Sequence, residues 1–216
     1  MDSWLTRLEL IGKDVITIRS GSYFIKFKYG IIPWASKRGI ALVLDDYDAC
    51  KPETKFVLNK LLEANGELSV PENNKIVTPH ASFRVFATCN GVRTSEHAGT
   101  FKTNMAQLDR WNIIALTSYL AQEDELNLIN KCAGKLLAGA DVAIKMSKLA
   151  NSLRLLCAKG VCNTPLSIRG LLSWAELSFV FNSVSAAFRY AHLNKCSGAE
   201  LKAVAKCYNQ VFGTTC

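Results

Sequence analysis

Five uninterrupted apolar residues, Ile40-Ala41-Leu42-Val43-Leu44, run straight into Asp45-Asp46-Tyr47-Asp48, and this junction constrains the fold more than any other part of the chain. A short run without a polar member is the pattern of a central parallel strand covered on both faces. A buried stretch of helix could show the same run, but its length and the abrupt acidic switch favour a strand. Pro52 and Glu53 then open a helix predicted to carry Phe56, Val57, Leu61 and Leu62 on one face and to stop at Gly66.

The rest of the first half reads as strand and turn. Asp14 to Ile18 and Tyr23 to Lys28 alternate around a glycine turn, which predicts a hairpin with one apolar and one polar face. Gly30 to Arg38 reads as a short helix, with Pro33 tolerated only near its first turn. Leu68 to Val70 and Lys75 to Val77, around Pro71-Glu72-Asn73-Asn74, form a second hairpin candidate. Phe83 to Cys89 is a further strand ending at Asn90-Gly91, residues 92–103 a polar loop, Met105 to Arg110 a helical turn, and Ile113 to Leu116 a last strand. Beyond Tyr119 the pattern is wholly helical, over Glu123 to Ala138, Val142 to Ala158, Ser167 to Ser183 and Gly198 to Val211. The expected organisation is therefore an α/β core over 1–118 followed by a helical domain over 119–216.

Composition excludes several classes. With 49% hydrophobic and 20% charged residues the chain is too apolar for disorder, and no run approaches the ~18 apolar residues of a membrane span. Met1-Asp2-Ser3-Trp4 carries no signal-peptide pattern, so a cytoplasmic location is expected, without membrane partners. The net charge of +8 is spread along the chain rather than gathered into a run, and by itself gives no reason to assign nucleic acid as a partner. The eight cysteines, at 50, 89, 132, 157, 162, 196, 207 and 216, form no CxxC pair. They read as reduced thiols, the Cys157/Cys162 spacing being a weak metal signal. His80, His97 and His192 are isolated, which argues against a three-ligand metal site.

A carboxylate at the carboxyl end of a buried strand sits where open α/β sheets place their ligands. In P-loop ATPases such an aspartate holds Mg²⁺, usually through water, and the next acid polarises the attacking water. Asp45 fits the first role and Asp46 the second, although the same two acids could simply open a polar turn. Asn90 also ends an apolar strand, where its amide could orient a water beside a γ-phosphate; an Asn-Gly turn is the plain alternative. Arg110, in Gln107-Leu108-Asp109-Arg110-Trp111, could reach a neighbouring subunit's phosphate, or cap its helix, or pair with Asp109. Arg169 lies in the first turn of a helix opened by Ser167, either as a surface arginine or leaning over a nucleotide.

In this order the pieces resemble the AAA+ ATPase subunit of aerobic cobaltochelatase (CobS type), related to the magnesium-chelatase and MoxR ATPases. The matching stretches include Arg7 to Asp14, Gly30 to Ala35, Ala41 to Ala49, Pro79 to Asn90, Gln107 to Trp111 and Ser167 to Glu176. The resemblance implies an incomplete AAA+ P-loop NTPase core, a parallel sheet with hairpin insertions, followed by an all-helical lid. It implies ATP and Mg²⁺ as ligands, with Asp45 as the Mg²⁺-associated Walker B acid and Asp46 in the place of the catalytic glutamate. Asn90 matches sensor 1, Arg110 the arginine finger and Arg169 sensor 2. It further implies a homo-oligomeric ring that works with an adaptor and a large catalytic subunit to insert Co²⁺ into hydrogenobyrinic acid a,c-diamide, no cobalt ligand being needed in this chain.

The chain departs from the pattern in three ways. No GxxxxGKS or GxxxxGKT occurs in it, so by resemblance the phosphate-binding loop, its helix and a central strand are missing, and this polypeptide alone is expected to bind ATP poorly. The family's glutamate is Asp46 here, and the loop between Asn90 and Arg110 is shortened. A structural ring component without hydrolysis, or a MoxR-like chaperone ATPase for another metalloenzyme, are the alternative readings.

Overall fold

A computed structural model describes residues 1–90, 101, 103–133 and 140–216. It divides into two units, Met1–Ala115 and Leu116–Cys216. The expected fold class holds: mixed helix and sheet with a parallel strand pair, followed by an all-helical region.

The first unit opens with a helix that the local pattern did not announce, α1 (Arg7–Ile11), which buries Leu10 and Ile11. It ends at Gly12, whose φ of +133° and approach to Lys28 leave no room for a side chain; a Cβ there would lie 2.4 Å from the Lys28 carbonyl oxygen. β1 (Gly12–Arg19) and β2 (Ser22–Tyr29) pair antiparallel through a two-residue turn, Ser20-Gly21, with positive φ at both positions. The register pairs Ile16 with Ile25 and Ile18 with Tyr23 on one face, and Val15 with Lys26 and Lys13 with Lys28 on the other. The two-faced hairpin is as expected, but the tip of its apolar face is exposed.

α2 (Ile31–Ser36) seats Ile32 and Ala35 in the core and carries Pro33 in its first turn. β3 (Ala41–Leu44) runs parallel to a later strand, β6 (Arg84–Ala87). Contrary to expectation β3 is covered on one face only: Leu42 and Leu44 are buried, whereas Val43 and its partner Phe86 are 59% and 54% exposed. Its only strand partner among the described residues is β6. The helix expected after Pro52 is also shorter. α3 (Pro52–Lys55) tightens into a 3₁₀ turn at Phe56–Leu58, which rotates Phe56 out to solvent and Leu58 into the core.

β4 (Leu68–Val70) and β5 (Lys75–Val77) form the second hairpin, closed by a 3₁₀ turn over Pro71–Asn73 and by Asn74 at φ +45°. α4 (Met105–Leu108) is a single turn capped by Asn104. The expected strand over Ile113 to Leu116 does not form; these residues join no strand among the described residues, and Ile113 and Leu116 are exposed. Most of the loop expected over 92–103 lies outside the described residues.

The second unit holds α5 (Gln122–Ala133), α6 (Ala140–Ala158), α7 (Ile168–Val180), α8 (Val184–Ala191) and α9 (Gly198–Phe212). The helical stretch read through Ser183 breaks at Asn182, φ +47°, and Ser183 caps a separate α8 by accepting from Ala186 N–H. Trp174 is the hub of the core. Its ring meets Phe188 at 4.9 Å and Phe212 at 5.7 Å, and its Nε1–H donates to the Val184 carbonyl at 2.9 Å. A buried ion pair, Arg154 with Glu125 at 2.5 Å, joins α6 to α5. Among the described residues no helix is long and apolar enough to cross a membrane.

Candidate functional site

The register of β3 against β6 builds the site. Leu44 stands opposite Ala87, so the next residues, Asp45 and Thr88, leave the sheet at the same carboxyl edge. Thr88 N–H donates to the Leu44 carbonyl at 3.1 Å and Tyr47 N–H donates to the Thr88 carbonyl at 2.8 Å, which extends the pairing past the strands. The Thr88 hydroxyl is used twice. It donates to Asp45 Oδ1 at 2.5 Å and accepts from Asp46 N–H at 3.1 Å. One side chain thereby orients the first carboxylate and fixes the backbone of the second.

Asp46 sits at φ +50° and ψ +50°, in the left-handed region that short carboxylates tolerate better than longer side chains. This kink turns the chain into a 3₁₀ turn over Tyr47–Ala49, buries Tyr47 and Asp48, and leaves Asp45 and Asp46 in solvent. Asn90 Nδ2 lies 3.5 Å from Asp46 Oδ1. Asn90 is held from below, its N–H donating to Asp48 Oδ2 at 3.0 Å, while the Asp48 carbonyl accepts from Phe101 N–H at 2.8 Å. Three of the five sequence-predicted residues, Asp45, Asp46 and Asn90, therefore converge on one edge.

Beneath them lies a buried polar layer. Asp48 is 1% exposed and Lys55 fully buried, and among the described residues neither Asp48 Oδ1 nor Lys55 Nζ has a hydrogen-bond partner; Lys55 Nζ lies 4.8 Å from the Tyr47 ring centre. Burial lowers the Lys55 pKa from its usual value, opposed by the charges of Cys50, Asp48 and Cys89.

The two arginines stand differently. Arg110 Nη1 donates to the Ala106 carbonyl at 2.5 Å and Nη2 lies 3.5 Å from Glu63 Oε1, so its carboxylate partner is Glu63 rather than Asp109. Its neighbour Trp111 packs edge-on against Tyr47 at 5.7 Å, tying the end of α4 to the residue after Asp46. Arg169 is the second residue of α7, exposed, in the second unit. Sequence reasoning assigned no role to Thr88 or Asp48. The signal was present in the register: aligning the polar ends of the two apolar runs sets Thr88 beside Asp45.

Asp45 and Asp46 offer hard oxygen donors, and Mg²⁺ is typically bound by one or two carboxylates together with substrate phosphates, so the donor set fits that ion. Among the described residues no group of three or more His, Cys, Asp or Glu side chains is placed to hold a metal by itself.

Paired acids at the carboxyl end of a parallel strand, with an asparagine against the second acid, are an arrangement that P-loop ATPase cores use to hold Mg²⁺ and orient water. No family model matches the chain. It is 36% identical over 219 residues to the aerobic cobaltochelatase subunit CobS of a Sinorhizobium species, an alignment covering 99% of this chain and 66% of that protein. Over nearly its whole length the chain is similar to this CobS-type AAA+ ATPase subunit. It spans slightly less than two thirds of that relative's length. A 64-residue stretch, 30% of this chain and 1% of the relative, is 41% identical to midasin of Dictyostelium discoideum. An uncharacterized protein of Staphylococcus aureus is 28% identical over 76% of this chain and 60% of its own. The crystal structure of a candidate ATPase from Cytophaga hutchinsonii superposes with a TM-score of 0.44 at 16% identity, covering 94% of this chain and 65% of that one.

Proposed function

We propose that this chain is part of the ATP-hydrolysing subunit of an aerobic cobaltochelatase, coupling hydrolysis to insertion of Co²⁺ into hydrogenobyrinic acid a,c-diamide in cobalamin synthesis. The observation that carries the reading is the Thr88 clasp, which presents Asp45 and Asp46 side by side at the carboxyl edge of the parallel pair with Asn90 against Asp46. The 36% identity to CobS supports the chelatase assignment.

In this reading Asp45 is the Walker B acid that associates with Mg²⁺, and the ion when bound neutralises phosphate charge. Asp46 accepts a hydrogen bond from the attacking water, and Asn90 holds that water in line through its amide. Arg110 serves a neighbouring subunit of a homo-oligomeric ring, for which it must exchange Glu63 for a phosphate, and Arg169 contacts the nucleotide as sensor 2. The adaptor and large catalytic subunits handle cobalt and tetrapyrrole, in the cytoplasm. These 216 residues contain no GxxxxGKS or GxxxxGKT, so the phosphate cradle for this edge is supplied by other residues.

The test combines the chain with a CobS-type phosphate-loop segment and measures phosphate release and ATP-dependent cobalt insertion in the presence of adaptor and large subunits. Phosphate release that disappears in Asp45→Asn and Asn90→Ala, together with metallation, supports the reading. Hydrolysis that survives Asp45→Asn refutes the site. Hydrolysis without metallation refutes the cobalt assignment and leaves the MoxR-like chaperone reading. A ring that assembles without any hydrolysis leaves the structural component.

A further inference from the structure

We propose that Cys157 and Cys162 are a reversible dithiol–disulfide pair, the site at which this chain is modified by a low-molecular-weight disulfide. Their sulfur atoms lie 2.8 Å apart, already close to the ~2.05 Å of a covalent bridge. Both are free thiols, Cys162 buried and Cys157 half-buried.

The proximity follows from how α6 ends. Val161 N–H donates to the Leu156 carbonyl at 3.0 Å and Gly160 N–H to the Cys157 carbonyl at 2.9 Å, the paired bonds of a Schellman turn. Gly160 takes the left-handed position, φ +72°, and folds the chain back so that Cys162 passes under the last helical turn. Cys162 Sγ also donates to the Leu153 carbonyl at 3.6 Å. The next two residues are clasped from α9, where Glu200 Oε1 accepts from Asn163 N–H at 2.8 Å and Thr164 N–H at 2.6 Å. Backbone bonds on both sides of Cys162 thus hold the two sulfurs together.

The exposures set the order of reaction. The Cys157 thiolate attacks a sulfur of the disulfide RSSR, forming a mixed disulfide and releasing RSH; the Cys162 thiolate then attacks the Cys157 sulfur and expels the second RSH. Two thiols are oxidised to one disulfide while RSSR is reduced to two RSH, the thiol protons leaving with the two expelled sulfurs. Burial, then the contact with Cys162, pushes the Cys157 thiol up to about 12, so the first step is slow, while the second is intramolecular. The exposed Cys89 and Cys132 have no sulfur neighbour among the described residues and stop at the mixed disulfide. The product ties the last turn of α6 to the segment leading into the Ser167 cap of α7, the helix that carries Arg169.

The experiment equilibrates the full chain with glutathione disulfide, quenches with acid, alkylates and maps peptides by mass spectrometry. The expected result is a Cys157–Cys162 bridge without bound glutathione, reversed by dithiothreitol, beside glutathionylated Cys89 and Cys132. In Cys162→Ser, Cys157 retains glutathione. In Cys157→Ser, Cys162 is glutathionylated roughly tenfold more slowly than Cys157 is in Cys162→Ser, in keeping with its burial. Recovery of 157 and 162 as two free thiols while the exposed cysteines react, or as two independent mixed disulfides, overturns the proposal. So does equal reactivity of the two single variants. The wild-type map needs no variant to fold.

Discussion

Glu125 and Arg154 form the ion pair from which the stability of the helical unit can be read most directly. Their side chains are 0% and 6% exposed, and the Glu125 carboxylate takes Arg154 Nη1 at 2.5 Å and the Ser147 hydroxyl at 3.1 Å. Arg154 also reaches the Leu166 carbonyl through Nε at 2.9 Å and Asn151 Oδ1 at 3.1 Å, and its guanidinium lies 4.0 Å from the Tyr119 ring centre. Glu125→Ala removes the counter-charge and leaves a guanidinium in a closed site, for which breaking a buried pair costs about 3–5 kcal/mol. The orphaned Ser147 hydroxyl brings the expected loss to the upper half of that range, since an unsatisfied buried donor costs about 1–3 kcal/mol more, part of which relaxation recovers. With a urea slope of about 2 kcal/mol per molar, the midpoint falls by roughly 2 M. Urea unfolding of the full chain, followed by far-UV circular dichroism, measures the shift in the helical transition. The double variant Glu125→Leu/Arg154→Met, which removes both charges, should be clearly more stable than Glu125→Ala while remaining below wild type, because the Ser147 hydroxyl and the Leu166 carbonyl still lose their partners. A Glu125→Ala shift below about 0.5 M, or a double variant no better than the single, would refute the view that an unpaired charge sets the cost.

Further expectations concern buried groups and the clasp. His192 is 2% exposed, and burial, then Lys195, pushes its pKa down to about 4 against the opposing charge of Glu200. The unfolded chain therefore takes up the proton first as pH falls below 6.5, and stability should drop by about 3 kcal/mol between pH 6.5 and 4; a His192→Phe chain should lose that dependence in denaturant titrations. Lys55→Met leaves the buried Asp48 carboxylate without the ammonium charge nearby and should destabilise the protein, read as a lower urea midpoint than wild type. Because the folded pKa of Lys55 is lowered, wild-type stability should rise with pH from that lowered value up to the unfolded value of 10.5, a rise that unfolding curves of Lys55→Met should lack. Thr88→Val removes the donor to Asp45 and the acceptor for Asp46 N–H. In the reconstituted ATPase it should lower kcat by about tenfold or more with a smaller change in KM, and an unchanged kcat would show the clasp to be dispensable.

Much of this was legible because it is local. The turn chemistry of Pro71 to Asn74 fixed the β4–β5 hairpin, and alternation sorted the β1–β2 faces. Asp45, Asp46 and Asn90 were each found from the end of an apolar run. What joins them was less visible, since Thr88 meets Asp45 and Asn90 meets Asp48 across more than forty residues of chain. Glu125 reads as an ordinary first-turn acid of α5; only the packing of α6 against it reveals a buried partner. Ile113 to Leu116 has the composition of a strand but no strand beside it among the described residues, and composition cannot supply one. Phe56 was misassigned because a 3₁₀ turn changes the angular period on which a helical face is counted.

The left-handed backbone of Asp46 has a consequence for how this position can change through evolution. Only glycine escapes the roughly 1–2 kcal/mol that a Cβ costs there, and aspartate and asparagine offset part of it because their short polar side chains can hydrogen-bond locally. Asp and Glu are one base apart in the genetic code, so glutamate is always within a single mutational step of Asp46. That step lengthens the acid by a methylene and sets it on a backbone that disfavours it. A change to glutamate is thus tied to the 46–47 kink: the longer acid is best accommodated where the turn relaxes with it.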